Sequence, residues 1–245
     1  MQTKRLHDWD VSYPQAVALQ KELAQQVQQI PLRNRPTTVA GLDCALSTDG
    51  RRIIAAVVVL QHTESTESRL GPAKLSDFKV IETTTASQEL GFPYIPGLLS
   101  FRESPVCIAA VEKLKIEPDA FIIDGQGVAH PRRFGIASHL GLFFDKPTIG
   151  CAKSRLTGSF EEPAREKGAY SPLKDNQSAG GRLTAEVIGA AVRTRTNVKP
   201  VFVSVGNKCL LKDAIDVTLA WTTKYRVPEP TRLAHQMVSK LKREA

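Results

Sequence analysis

The chain has 245 residues, 42% hydrophobic and 24% charged, with 33 Lys and Arg against 25 Asp and Glu, a net charge of +8 and a pI near 9.4. That balance suits one large or two small globular domains with a sizeable core, and the basic excess favours a polyanionic partner. Cys44, Cys107, Cys151 and Cys209 lie far apart without a C-x-x-C pair, which argues against a zinc site or a disulfide framework; the first three sit in apolar company and read as small core residues. No stretch reaches the roughly 18 apolar residues of a membrane span. The N-terminus, with Asp8 and Asp10 behind Lys4 and Arg5, lacks the apolar region of a targeting peptide. A cytoplasmic, monomeric protein with no membrane association is expected.

Ser12 and Gln15 have capping-box spacing, and Ala16, Leu19, Leu23, Val27 and Ile30 recur every three or four residues, predicting a helix over about 12–30. Pro31 and Pro36 bracket a linker into the core, about 37–242. Strands are predicted over 38–45, 53–60 and 78–85, with an Asp49-Gly50 turn between the first two and a long exposed loop over 62–76 between the others. Three such strands in succession make an antiparallel meander.

Gly91 to Gly97 places prolines 93 and 96 around a Tyr94-Ile95 tip, a stiff turn. Ser104-Pro105 reads as an N-cap and first turn of a helix running to about Lys115. A buried strand over 119–124 ends on Asp124, two glycines follow, and a helix begins near Gly135; a further strand covers 147–152 and ends at Lys153. A strand–helix–strand unit of this length predicts that its two strands run parallel. Residues 154–181 read as loop, 186–195 and 201–205 as strands, and 212–222 and 231–242 as helices. The expected architecture is one α/β domain spanning 1–245, with a mixed sheet flanked by helices.

Asp43 and Asp124 each close an apolar strand. If those strands are neighbours the two carboxylates meet, and they repel unless a cation lies between them; hard oxygen donors suit magnesium or manganese. Glu103, just before a helix, offers a third oxygen, and Lys153 a cation at the same edge. Singly, each has a plainer reading: Asp43 as a strand-end hydrogen bonder, Asp124 as a turn cap, His130 as a packing histidine, Lys153 as a solvated lysine.

The motifs over 93–103, 124–141, 147–153 and 225–235 resemble those of the endonuclease V family, and the likeness runs from about residue 12 to 238. The resemblance implies an RNase H-like fold and a Mg²⁺-dependent, deoxyinosine-specific endonuclease. Such an enzyme nicks single- or double-stranded DNA at the second phosphodiester bond 3′ to the lesion, leaving a 3′-hydroxyl and a 5′-phosphate. Carried over, Asp43 and Asp124 are metal-binding aspartates and Glu103 the associated glutamate, with Mn²⁺ able to replace Mg²⁺. His130 and Lys153 fall beside the scissile phosphate. Pro93, Tyr94, Ile95 and Pro96 form a strand-separating wedge tipped by Tyr94, and Gly97, Leu99, Gly125 and Gly135 shape the pocket for the hypoxanthine base. Arg132 and Arg133 are candidate phosphate contacts. His235 stands where some relatives are acidic, which leaves its part as a metal ligand open, and Gln126 is given no role. Inosine-containing RNA is the alternative substrate, since it would use the same catalytic residues. A non-catalytic nucleic-acid-binding module would not need the carboxylates.

Overall fold

Residues 53–60 form an apolar run buried on both sides, as suits a strand in the middle of a covered sheet. In the computed structural model, which describes residues 1–63, 77–179 and 182–244, they lie within β2 (Arg52–His62). β2 pairs antiparallel with β1 (Thr38–Leu46) on one side and β3 (Phe78–Glu89) on the other, so the predicted meander forms. Among the predicted loop, residues 64–76 lie outside those described. β4 (Ala120–Ile123) pairs parallel with both β1 and β5 (Thr148–Ala152), and β8 (Val201–Asn207) pairs antiparallel with β5. With β6 (Tyr170–Ala179) and β7 (Arg182–Val192), the resulting mixed sheet has eight strands in the order β3-β2-β1-β4-β5-β8-β7-β6.

Alternation along the strands divides the core in two. Val39, Val58 and Ile122 face the helices α4 (Leu211–Ala220) and α5 (Glu229–Glu244). Their neighbours Ala40, Val57 and Ile123 face α2 (Leu99–Val111) and α3 (Ile136–Phe144). This two-faced burial is the reason the central strands read as continuous apolar runs. Among the described residues, no helix is long and apolar enough to cross a membrane.

Three expected elements differ. The first helix, α1 (Tyr13–Ala24), has the Ser12–Gln15 capping interaction but ends six residues early. Beyond it the backbone of Gln28 bonds to Asn207 and Lys208, and that of Leu32 to Asp213, so contacts with the β8–α4 corner replace further helical turns. α2 starts at Leu99 and carries Pro105 inside it. Packing of Leu98 and Phe101 against Phe92 and Ala16 draws the helix start forward, overriding the local Ser-Pro signal. Finally, the segment read as loop contains β6 (Tyr170–Ala179), which forms the sheet edge by pairing with β7 (Arg182–Val192). Its polar composition is that of an edge strand.

Candidate active site

Leu42 pairs with Ile123 across two adjacent parallel strands, so the next residues, Asp43 and Asp124, stand at the same level of the sheet. Adjacent strands lie about 4.8 Å apart, and both residues share the parity of Val39 and Ile122; both carboxylates therefore face α5. That helix delivers His235, whose Nδ1 lies 2.7 Å from Asp43 Oδ2. One ligand atom from each of Asp43, Asp124 and His235 falls within 4.8 Å of the others. Lys153, beyond β5, pairs its amine with Asp124.

Burial first, and then the facing Asp124 charge, push the Asp43 carboxyl above its ordinary range; the His235 hydrogen bond and Lys153 oppose that. A divalent cation among these groups would relieve the repulsion. Two carboxylate oxygens suit magnesium or manganese, and the imidazole adds a softer donor, so the residues fit a metal ion.

Glu103 lies on α2 rather than before it, and is not part of this triad. It approaches from the opposite sheet face, the side of Cys44. Burial pushes its carboxyl up to about 7, with a Cys44 hydrogen bond opposing and the Asp43 and Asp124 charges adding. His235, left open by the sequence, is thus drawn into the triad, and Glu103 stands behind it.

A second constellation surrounds the Gly91–Gly97 turn. Tyr94 is 65% exposed at its tip, with the Arg102 guanidinium 5.8 Å from the ring centre. Ile95 packs inward against the cluster around Phe92, Leu98 and Phe101. Gly97, at φ +80°, closes the turn in a conformation that favours glycine. Its carbonyl accepts hydrogen bonds from three side chains: Arg132 Nη2 at 2.7 Å, Gln20 Nε2 at 3.0 Å and His130 Nε2 at 3.1 Å. Gln20 is a polar residue on the buried stripe of α1 with Ala16 and Leu23, the one sequence signal that could have singled it out.

Beside this clamp is a cavity of about 140 Å³ lined by Tyr94, Leu99, Gln126, His130, Gly135 and Ile136, among others. A cavity of roughly 150 Å³ holds a benzene ring, so this one admits a flat aromatic group. Gly135 in its wall, and Gly125 behind the lining residue Ile136, leave no room for a side chain: a Cβ on Gly125 would come 2.4 Å from the Ile136 side chain, and one on Gly135 2.3 Å from the Gln126 carbonyl.

The clamp bears on two expectations. His130 accepts the Arg132 amide hydrogen at Nδ1 and gives its Nε2 hydrogen to Gly97, so both ring nitrogens are engaged in holding the turn rather than free beside a phosphate. Both arginines also have protein partners. Arg132 also bonds Gln20, while Arg133 is held by Asp175, Glu186 and the His130 carbonyl.

Burial, and then Arg132, lower the His130 pKa from 6.5 to about 4. The unfolded chain therefore binds a proton near pH 6.5 that the folded protein refuses until about pH 4, and stability falls as pH drops through that window. The difference is worth on the order of 2–3 kcal/mol. His130→Gln should flatten the decline in melting temperature between pH 7 and 4.5 relative to the native protein; parallel curves would show that His130 is not refusing the proton.

A mixed sheet between helices, with two carboxylates level on adjacent parallel strands just past the end of their pairing and a histidine above them, is the arrangement of an RNase H-like, metal-dependent nuclease. The family model for endonuclease V matches residues 21–236. Endonuclease V of Methanothrix thermoacetophila is 47% identical over 235 residues, covering 96% of this chain and 94% of that one. The crystal structure of the Streptomyces avermitilis endonuclease V superimposes with a TM-score of 0.82 at 39% identity, over 100% and 99% of the two chains. That of Ciona intestinalis endonuclease V, in complex with DNA containing an inosine followed by a ribo-adenosine, gives 0.71 at 26% identity, over 94% and 98%. The chain belongs to the endonuclease V family, and it is a nuclease.

Proposed function

We propose that this nuclease recognises deoxyinosine in DNA and nicks the strand at the second phosphodiester bond 3′ to it by Mg²⁺-assisted hydrolysis, leaving a 3′-hydroxyl and a 5′-phosphate. The observation that carries the reading is the Leu42–Ile123 register, which sets Asp43 and Asp124 at one level beneath His235. Two residues beyond Asp124, Gln126 begins the wall of a cavity of aromatic size. The relative crystallised with inosine-containing DNA supports the choice of lesion.

Asp43, Asp124 and His235 would hold the ion, with Glu103 behind them, and Mn²⁺ fits the same donors. When bound, the ion supplies Lewis-acid stabilisation of the charge developing on the phosphate. Lys153, held at the site by Asp124, stabilises the pentavalent phosphorus and helps position the attacking water. The base turns out of the stack into the cavity shaped by Gly97, Leu99, Gly125 and Gly135, at a cost that is least where pairing is weak. Pro93 and Pro96 stiffen the turn, and Tyr94 fills part of the gap. His130 and Arg132 act by fixing the end of that turn at Gly97.

The test is cleavage of matched inosine-containing DNA and RNA with and without Mg²⁺. Nicking of the DNA only when Mg²⁺ is present is expected; cleavage of undamaged DNA at the same rate would overturn the reading, and preference for the RNA would change its substrate.

Tyr94→Ala should slow single-turnover nicking of duplex inosine DNA more than of single-stranded inosine DNA, which has little stacking to replace. Lost stacking is worth a few kcal/mol per step, so a loss of about tenfold or more on the duplex is expected. Equal losses on both substrates would mean that Tyr94 packs the site and is not a wedge.

A further inference from the structure

Among the described residues, Gln126 is the one member of the cavity wall with a buried side-chain polar atom that has no partner. It is 8% exposed, its Nε2 donates to the Ser154 carbonyl at 2.9 Å, and its Oε1 is buried with no partner. The amide orientation is not arbitrary, because a flipped amide would set its oxygen against the Ser154 oxygen.

Apart from the solvent-exposed Tyr94, the other polar side chains of the wall are committed. Gln20 donates to Gly97 and to Phe134 and accepts from Arg132, and His130 uses both nitrogens. Ser100 meets His139 Nδ1 at 3.0 Å. The proton order of that chain follows from its far end: His7 Nδ1 donates to the Asp8 carbonyl, so His7 Nε2 accepts from His139 Nε2 and His139 Nδ1 accepts the Ser100 hydroxyl hydrogen. A buried acceptor without a partner is disfavoured in the free protein and is satisfied only when a donor enters.

We propose that the Gln126 carboxamide oxygen is a specificity determinant that accepts the ring N–H of a deaminated base held in the cavity. This rests on the inosine reading above. The chemistry matches what deamination changes. Adenine and cytosine present a bare ring nitrogen on the pairing edge, whereas hydrolysis of the exocyclic amine to a carbonyl leaves a lactam with hydrogen on that nitrogen. An acceptor at Gln126 bonds the lactam N–H and opposes its lone pair to the unreacted base. A site built to bond an N–H discriminates strongly against an analogue without it, because the buried acceptor is then left unmade. Guanine carries the same N–H, so its exclusion falls to other parts of the wall.

The experiment measures equilibrium binding of the full chain, in Ca²⁺, to otherwise identical oligonucleotides carrying deoxyinosine, deoxynebularine (a purine with a bare N1) or adenine. The native protein should prefer inosine to nebularine by at least about tenfold. Gln126→Met should weaken inosine binding roughly ten- to a hundredfold and leave nebularine within about twofold, so that the preference collapses. Gln126→Asn, which keeps an amide but withdraws its oxygen, is read by the same ratio should the methionine variant not fold. A variant that retains the native inosine-to-nebularine ratio, whatever its absolute affinity, overturns the role of Gln126. Absence of any inosine preference over adenine in the native protein would instead overturn the substrate reading on which it rests.

Discussion

Asp124→Ala should lower nicking at inosine by about 10³-fold or more while leaving lesion binding in Ca²⁺ within a few-fold of the native protein. Several kcal/mol of transition-state charge stabilisation depend on the ion, and each 1.36 kcal/mol is about tenfold in rate. The fold does not need the charge. Lys153, freed from its ion pair, is 44% exposed and can be solvated where it stands. The same holds more strongly for Asp43. Its folded pKa is raised, so the ionised form is disfavoured in the folded chain and stability is lost as pH rises through that pKa. Asp43→Asn should therefore abolish nicking with a melting temperature at pH 7.5 equal to or above the native value. Near-native nicking by either variant in Mg²⁺ would remove the metal assignment, and a large fall in melting temperature for Asp43→Asn would contradict the electrostatic reading.

Gly41→Ala should cost about 3 kcal/mol, or roughly 6–12 °C in melting temperature. A Cβ there would come 1.9 Å from the Pro230 carbonyl carbon and 2.3 Å from the Thr231 nitrogen. These are backbone atoms of the first turn of α5 and cannot rotate away. That turn is anchored by Glu229, which is buried against Arg232 and Thr223, so the whole helix must lift. His235 would lift with it, and nicking measured on the folded variant should fall further than the loss of folded protein explains. Gly91→Ala, where an added Cβ meets nothing within 4 Å, is the control for stability and should leave the melting temperature unchanged. A Gly41→Ala protein as stable as that control would mean that the close approach of α5 is not required.

Much of this was legible in the chain itself. Apolar runs ending on Asp43 and Asp124, the glycines after them and the stiff proline turn depend on local patterning, and local patterning survives folding. The meander and the parallel β4–β5 pair follow from connection length. What the sequence could not determine was set by contacts between residues far apart. The Leu42–Ile123 register decides that the carboxylates are level. The parity of β1 decides that His235 shares their face while Glu103 comes from the other. The start of α2 moved because Leu98 and Phe101 pack on α1, a gain larger than the preference of a Ser-Pro pair for a helix start. His130 and Arg132 looked like groups for a phosphate because their charge and motif were visible, whereas the Gly97 carbonyl and Gln20, which actually engage them, lie 33 and 112 residues away. Spacing along a chain reports which side chains share a face of one element; only the packed sheet and helices decide which elements bring those faces together, because that choice is made by burying the apolar side of each against the others.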